Sequence, residues 1–215
     1  MSEDYKCNNQ STFMVEQMVL IDIRKLLQSM PLADIDDTYD ASCDIPREIF
    51  EETSIEANED DVALSDTLNE EQRAAYDEIM SLVDIKHGGL IFVDGPGGTG
   101  KTYLYRALLA TIRSQKKIDV ATATSSVAAS IMSGGRTAHS RFKIPLTIDN
   151  GAFCTFMKQS GTAKLLRASS LIIWDEASMT KRQSVEALDN SLHDIMDQPE
   201  LPFGGKTMVF SGDFR

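Results

Sequence analysis

The chain has 215 residues, of which 42% are hydrophobic and 25% are charged, which is ordinary for one globular domain plus an extension. Its cysteines, Cys7, Cys43 and Cys154, are odd in number and widely spaced, which argues against a disulfide framework and a structural zinc site. No uncharged apolar run approaches the roughly 18 residues of a membrane span, and the acidic N-terminus lacks the pattern of a secretory signal. We therefore expect an intracellular protein from a reducing compartment.

The net charge of −12 is concentrated at one end of the chain. Residues 1–67 hold 17 acidic and 4 basic side chains, whereas residues 68–215 hold 16 acidic and 17 basic ones. Within residues 101–174 there are 11 basic side chains and only two acidic ones, Asp119 and Asp149. The middle of the chain is thus basic enough to bind a polyanion, although the chain as a whole is acidic.

The first third of the chain is predicted to be an acidic extension, residues 1–66, that is helical in part and partly disordered. Apolar residues at helical spacing predict a helix over residues 13–30, which Pro31 ends. Residues 34–66 are acidic with scattered apolar side chains, and we interpret them as a partly ordered linker. The linker is either a solvated arm or a regulatory arm that competes with nucleic acid for the basic middle.

From residue 67 onward, helices and strands alternate. A helix capped by Thr67 or Asn69 is predicted to end near residues 87–89, before a strand at 90–93 that is buried on both faces. A helix over residues 101–113 follows, then strands at 118–123, 171–174 and 206–211, with a helix around 185–195. This order predicts an α/β domain over residues 67–215 with a mainly parallel sheet covered by helices on both faces.

A glycine-rich stretch between the first predicted strand and the next helix fits the pattern G-x-x-x-x-G-K-S/T. Such a chain wraps around a phosphate through backbone N–H groups, and the start of the helix adds partial positive charge. Lys101 would contact the β- and γ-phosphates, and the Thr102 hydroxyl would bind Mg²⁺. The residues predicted to bind ATP here are Gly95, Pro96, Gly97, Gly98, Thr99, Gly100, Lys101 and Thr102.

Two adjacent carboxylates, Asp175 and Glu176, follow the predicted strand at residues 171–174. At this position Asp175 would hold Mg²⁺, and Glu176 would orient and deprotonate the attacking water. With Lys101, these two residues form the predicted catalytic set. Because hydrolysis needs a base for water, the Asp-Glu pair favours hydrolysis over phosphoryl transfer to a second substrate.

Together, several segments make the chain resemble the Pif-type DNA helicases of superfamily 1, particularly the version in plant genomes and Helitron-type transposons. The segments are LNEEQ at 68–72, the glycine-rich stretch, ATSSVAA at 123–129, GGRTAHSRFKIP at 134–145, IWDEAS at 173–178, FGGK at 203–206 and FSGDFR at 210–215. The resemblance covers residues 67–215 and implies a RecA-like ATPase lobe.

The resemblance also implies roles for single residues. Gln72 would read adenine, although its spacing from Asn69 is equally that of a helix capping box. Asp213 would sense the γ-phosphate. For His139 a buried position and for Phe142 core packing remain alternatives to nucleic-acid contact, and Trp174 is expected in the core. The residues expected to line the path of single-stranded DNA are Thr124, Ser125, Thr137, His139, Ser140, Arg141 and Phe142.

The implied activity is that of an ATP-dependent DNA helicase, which uses ATP and Mg²⁺ and moves along single-stranded DNA. The resemblance further implies a nuclear location and work in telomere maintenance, DNA repair and recombination. A second lobe, which would supply a catalytic arginine, would follow residue 215. We therefore expect this chain to be a truncated first lobe that binds Mg-ATP weakly, hydrolyses it slowly and unwinds nothing alone.

Two alternatives to this helicase remain open at this point. One is a non-catalytic remnant of a transposon, or an ATP-gated binder of single-stranded DNA. The other is a different P-loop ATPase, such as a clamp loader or a transporter ATPase. The chain has no L-S-G-G-Q segment, which transporter ATPases carry, and this argues against a transporter ATPase.

Overall fold

A computed structural model describes residues 45–85 and 88–213, so the helix predicted over residues 13–30 lies outside the described residues. The described residues belong to one compact unit, Ile45–Arg215. Among them, no helix is both long and apolar enough to cross a bilayer.

The described part of the chain alternates helices and strands, as the sequence predicts. The helices are α1 (Arg47–Thr53), α2 (Glu59–Ala63), α3 (Glu70–Ile85), α4 (Lys101–Ser114), α5 (Ser126–Ile131), α6 (Ala138–Phe142), α7 (Gly161–Ala168) and α8 (Arg182–Met196). The strands are β1 (Gly89–Asp94), β2 (Ile118–Ala123), β3 (Arg136–Thr137), β4 (Ser169–Asp175) and β5 (Thr207–Gly212). Short 3-10 turns lie at Leu64–Thr67, Ala177–Met179 and Pro202–Gly205.

The five strands form one parallel sheet in the order β1-β5-β4-β2-β3. Helices α3 and α4 pack their apolar residues on one face of the sheet, and α6, α7 and α8 cover the other. This confirms the predicted RecA-like α/β fold. Because all strands run the same way, their carboxyl ends meet at one edge of the sheet, where ligands bind in such folds.

Strand β1 corrects one prediction, since it is not buried on both faces. It lies at the edge of the sheet, and Leu90 and Phe92 are 53% and 39% exposed while their neighbours are more buried. A short apolar run carries no information on whether its strand is central or at an edge, so the sequence pattern alone could not make this distinction.

Trp174 lies in the core behind the end of β4, as predicted. Its ring is fully buried and lies 5.6 Å from the ring of Phe142 and 5.9 Å from that of Phe210, measured between centroids. Contacts of this kind between tilted aromatic rings add to the stability gained from burial. Trp174 therefore fixes the end of the strand that carries Asp175.

The interpretation of residues 34–66 as a partly ordered linker needs a correction for residues 45–66, which we call the acidic segment. The acidic segment forms α1, α2 and a 3-10 turn, and it is ion-paired to the basic middle of the chain. The pairs are Glu51–Arg136 at 2.7 Å, Glu52–Arg141, and Asp61–Arg106 at 2.5 Å. The domain boundary at residue 67 stays a prediction.

Candidate nucleotide-binding site

The glycine-rich stretch forms an open loop between β1 and α4. Gly98 and Gly100 have φ angles of +87° and +84°, a conformation that side chains with a Cβ adopt only at a cost. A Cβ added to Gly97 or Gly98 would meet no atom within 4 Å, so this side of the loop is open. The loop thus offers a concave backbone surface with room for a phosphate group.

Lys101 and Thr102 are the first two residues of α4 and therefore lie at the positive end of its helix dipole. The Lys101 ammonium donates hydrogen bonds to the carbonyl oxygens of Gly95 and Pro96, the latter at 3.3 Å. These neutral acceptors hold the ammonium over the loop. A phosphate oxygen is a stronger, charged acceptor and would compete with them for the same donor.

Asp175 and Glu176 stand at the carboxyl end of β4. Asp175 is 9% exposed, and its Oδ1 accepts hydrogen bonds from the Ser211 hydroxyl and, at 3.0 Å, from the Glu176 N–H. Glu176 has a φ of +57°, and its carbonyl oxygen accepts a bond of 2.7 Å from the Thr124 hydroxyl. These bonds fix the chain where it turns off the sheet, and the Asp175 carboxylate with it.

The glycine-rich loop and the two carboxylates line the same cavity, of about 410 Å³. The cavity holds the oxygen donors that Mg²⁺ prefers, the Thr102 hydroxyl and the Asp175 carboxylate, so the residues present fit both ATP and Mg²⁺. The described residues that line it are Pro96, Gly97, Gly98, Gly100, Lys101, Thr102, Tyr103, Arg106, Ala128, Ile131, Asp175 and Glu176.

Gln72 lies beside the loop and forms the capping box that its spacing predicts. Its N–H donates to Asn69 Oδ1 at 2.8 Å, and its Oε1 accepts from the Asn69 N–H at 3.2 Å. The Nε2 donates to the Thr99 carbonyl oxygen at 3.3 Å, which brings the amide to the glycine-rich loop. Both ends of the amide are thus engaged, and its role in reading adenine stays a prediction.

Asp213 follows β5 at the edge of the sheet that carries the cavity, although it is not among the described residues that line it. Its carbonyl oxygen accepts a hydrogen bond of 3.5 Å from the Ser178 hydroxyl. The preceding residue, Gly212, accepts from the Gly95 N–H at 3.3 Å and so joins the end of β5 to the loop. The role of Asp213 as a γ-phosphate sensor stays a prediction.

A family model described as PIF1-like helicase matches residues 67–215. The chain belongs to this family. The match agrees with the glycine-rich loop and the carboxylates that share its cavity. The closer resemblance to plant and Helitron-type members stays a prediction.

Individual relatives show the same similarity over about two thirds of the chain. This chain is 30% identical over 152 residues to ATP-dependent DNA helicase PIF4 of Trypanosoma brucei brucei. It is 32% identical over 149 residues to ATP-dependent DNA helicase PIF1 of Homo sapiens. Both matches cover 68% of this chain, but only 18% and 22% of those proteins.

Among solved structures, the fold is similar to the Pif1 helicase from Bacteroides in complex with ADP-AlF3 and ssDNA. The TM-score is 0.54 at 29% identity, and the match covers 68% of this chain and 32% of that one. The chain thus spans about a third of the PIF1-like helicase that it matches in structure.

The seven residues predicted to line a DNA path differ widely in exposure. Ser125 and Ser140 are exposed, and Thr124, Thr137 and His139 are half-buried. Phe142 is fully buried and Arg141 is 5% exposed, which favours the alternative of core packing for Phe142, and contact of these side chains with nucleic acid stays a prediction. Phe142 packs on Trp174, and Arg141 is committed to an ion pair.

Two members of this set that are not fully buried also have structural roles. The Ser125 hydroxyl caps α5 by accepting a hydrogen bond of 3.1 Å from the Ala128 N–H. The Thr124 hydroxyl donates to the Glu176 carbonyl oxygen and accepts from the Trp174 Nε1–H at 3.1 Å. Thr124 therefore supports the turn that presents Glu176, whatever else it contacts.

Sequence reasoning missed four polar residues at or near the site. Tyr103 and Arg106 line the cavity, and the i,i+4 spacing of Arg106 from Thr102 along α4 could have indicated Arg106. Ser211 and Tyr105 lie near Asp175; finding Ser211 requires the pairing of β4 with β5, and finding Tyr105 requires the packing of α4 on the sheet. The Tyr105 hydroxyl is fully buried and close to Ser211. Burial raises the pKa of Tyr105 well above its ordinary value, which keeps the hydroxyl neutral.

Proposed function

We propose that residues 67–215 form the ATP-binding lobe of an ATP-dependent DNA helicase that couples ATP hydrolysis to movement along single-stranded DNA. One observation carries the proposal: Lys101, Thr102, Asp175 and Glu176 line one cavity together with the glycine-rich loop. The family match and the names of the relatives support the same function.

The roles of the residues in hydrolysis follow from their positions. The backbone of the glycine-rich loop and the start of α4 hold the phosphates, and the Lys101 ammonium moves from the loop carbonyls to the β- and γ-phosphates. Glu176 orients the attacking water and takes its proton. Thr102 and Asp175 would hold Mg²⁺, which when bound neutralises charge on the phosphate oxygens.

A polypeptide of these 215 residues is expected to bind Mg-ATP weakly, to hydrolyse it slowly and to leave a DNA fork intact. The chain spans about a third of the Bacteroides Pif1 chain. Transition-state stabilisation of phosphoryl transfer often relies on an additional arginine, worth about 10³–10⁵ in rate. An arginine supplied by another polypeptide would be expected to raise the rate of ATP hydrolysis.

The test measures ATP hydrolysis and binding of a fluorescent ATP analogue, each with and without oligo-dT. Lys101→Met is expected to abolish both binding and hydrolysis, because the phosphates lose their ammonium partner. Glu176→Gln is expected to lower hydrolysis at least about 100-fold and to leave binding intact. The exposed residues Lys181 and Glu200 supply matched controls, Lys181→Met and Glu200→Gln.

The outcomes separate the candidate functions. Hydrolysis that oligo-dT stimulates and Glu176→Gln removes supports the helicase lobe. ATP binding without hydrolysis, with or without DNA, supports the alternative of an ATP-gated binder of single-stranded DNA. Failure of the wild-type chain to bind ATP at all contradicts both.

A further inference from the structure

A second cavity lies at the opposite edge of the sheet, and we call it the basal cavity. Its volume is about 540 Å³, within the usual range of small-molecule sites. Ser169 and Thr207, the first residues of β4 and β5, are part of its wall. Because all strands are parallel, the basal cavity is separated from the glycine-rich loop by the length of the sheet.

The basal cavity contains an ammonium group that is held in place without a carboxylate. Lys206 Nζ donates hydrogen bonds to the carbonyl oxygens of Arg167 at 2.5 Å and Ser169 at 2.9 Å. A lysine ammonium has three hydrogens, so one remains for a further acceptor. Two main-chain anchors thus fix the amine, and a ligand would meet a donor that is already oriented.

The wall of the basal cavity combines basic and apolar side chains. The charged side chains among its described residues are those of Lys206 and Arg167, and none of the described lining residues is acidic. Val83, Met196 and Leu201 supply apolar surface. Burial lowers the pKa of Lys206 to about 8, with no contribution from a nearby carboxylate.

From this arrangement we propose that the basal cavity binds a small organic carboxylate, with its anionic group on the Lys206 ammonium and its apolar part against Met196, Val83 and Leu201. A singly charged carboxylate matches the one free N–H donor of Lys206. The Arg167 guanidinium donates its Nε and Nη1 to main-chain carbonyl oxygens at 2.9 Å and 2.8 Å, so it adds positive charge to the wall. A phosphate dianion fits less well, because the two carbonyl oxygens beside the ammonium would repel its higher charge.

The test uses the whole 215-residue chain with hexanoate as the probe and hexanamide as its uncharged counterpart. Binding is followed through the methyl resonance of Met196 by NMR. Hexanoate is expected to shift this resonance saturably at about pH 6.5, and hexanamide to bind at least about tenfold more weakly. At about pH 9.5, where Lys206 is neutral, hexanoate binding is expected to fall at least about tenfold.

Variants test whether hexanoate binding depends on Lys206. Lys206→Met is expected to remove hexanoate binding and Lys206→Arg to retain it. Lys164→Met, at an exposed lysine on the same helix as Arg167, is expected to leave it unchanged. Saturating Mg-ADP is expected to have no effect on hexanoate binding, so the result does not depend on the nucleotide site.

Several results would overturn the proposal. They are equal binding of hexanoate and hexanamide, binding that is independent of pH, displacement of hexanoate by Mg-ADP, and the absence of any shift at Met196. The comparison of the two probes and the pH series use the wild-type chain alone, so they decide the matter even where a Lys206 variant does not fold.

Discussion

At the scale of single residues, the Asp175 carboxylate is oriented by two donors, the Ser211 hydroxyl and the Glu176 N–H. Groups that orient a metal-binding carboxylate commonly change metal affinity about 10–100-fold when they are removed. We expect Ser211→Ala to weaken binding of a fluorescent ATP analogue by about tenfold or more. The loss should shrink as Mg²⁺ is raised, because the carboxylate is displaced rather than removed.

The control for this variant is Ser191→Ala. Ser191 is also a buried serine, but its hydroxyl is bonded to Cys154 and Ala187, whose contacts are remote from Asp175. Ser191→Ala should leave the Mg²⁺ requirement unchanged. An equal loss of ATP binding in both variants, or a loss that Mg²⁺ cannot reverse, would show that Ser211 acts through general stability.

Lys206 gives a pH-dependent prediction. Burial lowers its pKa from 10.5 to about 8, so between these values the unfolded chain binds a proton that the folded chain does not. The free energy of unfolding therefore rises with pH across this window. Relative to Lys206→Met, we expect wild-type stability to increase by up to about 3 kcal/mol between about pH 7.5 and pH 10.5.

Urea unfolding of the two proteins at each pH measures this difference. Other titrating groups cancel because both chains contain them. Lys164→Met serves as the control, and its difference from the wild type should stay flat. A flat difference for Lys206→Met as well would mean that the amine keeps an ordinary pKa in the folded chain.

At the scale of elements, the glycine-rich loop offers a matched pair of positions. Neither Gly97 nor Gly98 has an atom within 4 Å of an added Cβ, but only Gly98 has a positive φ. We expect Gly98→Ala to lower the free energy of unfolding by about 1–2 kcal/mol through backbone strain. Gly97→Ala should lower it much less, in urea unfolding without nucleotide.

Binding of ATP distinguishes strain from obstruction in the same pair. An added Cβ at either glycine enters the open side of the loop, so both variants should bind ATP more weakly. Equal stability of the two variants would contradict the strain at Gly98. Undiminished ATP binding by Gly97→Ala would place the phosphates elsewhere.

At the scale of the whole molecule, the acidic segment is joined to the α/β domain by the buried pair of Glu52 and Arg141, each with a side chain 3% exposed. Burial raises the pKa of Glu52 and lowers that of Arg141, so desolvation outweighs their attraction. We expect Glu52→Ala to destabilise the protein by about 3–5 kcal/mol in urea unfolding, because the guanidinium is left buried without its carboxylate.

Two further variants test the cause of this loss. Replacing both partners by methionine should recover most of the stability, since no buried charge then remains unpaired. Glu51→Ala, next to Glu52 on α1, breaks pairs with the exposed Arg47 and the half-exposed Arg136 and should cost about 0–1 kcal/mol. Similar losses for Glu51→Ala and Glu52→Ala would contradict a buried anchor.

The sequence by itself determined the features that depend on neighbouring residues. Three features are local patterns: the glycine-rich loop, the Asp175–Glu176 pair, and the capping box of Asn69 and Gln72. The residues of each pattern lie within a few positions of one another, so the sequence alone shows them. The alternation of helices and strands was equally readable from hydrophobic spacing. Together these patterns predicted the parallel α/β fold and the core of the candidate site.

The tertiary structure alone decided which residues meet across the chain. Strand order placed β1 at the edge and Ser211 beside Asp175, and the packing of α1 buried Arg141 and turned the acidic segment from a linker into part of the compact unit. Burial and pairing between distant segments depend on how the whole chain minimises unpaired charge and exposed apolar surface. Local sequence therefore specifies the chemistry of the groups, and packing specifies which of them reach a ligand.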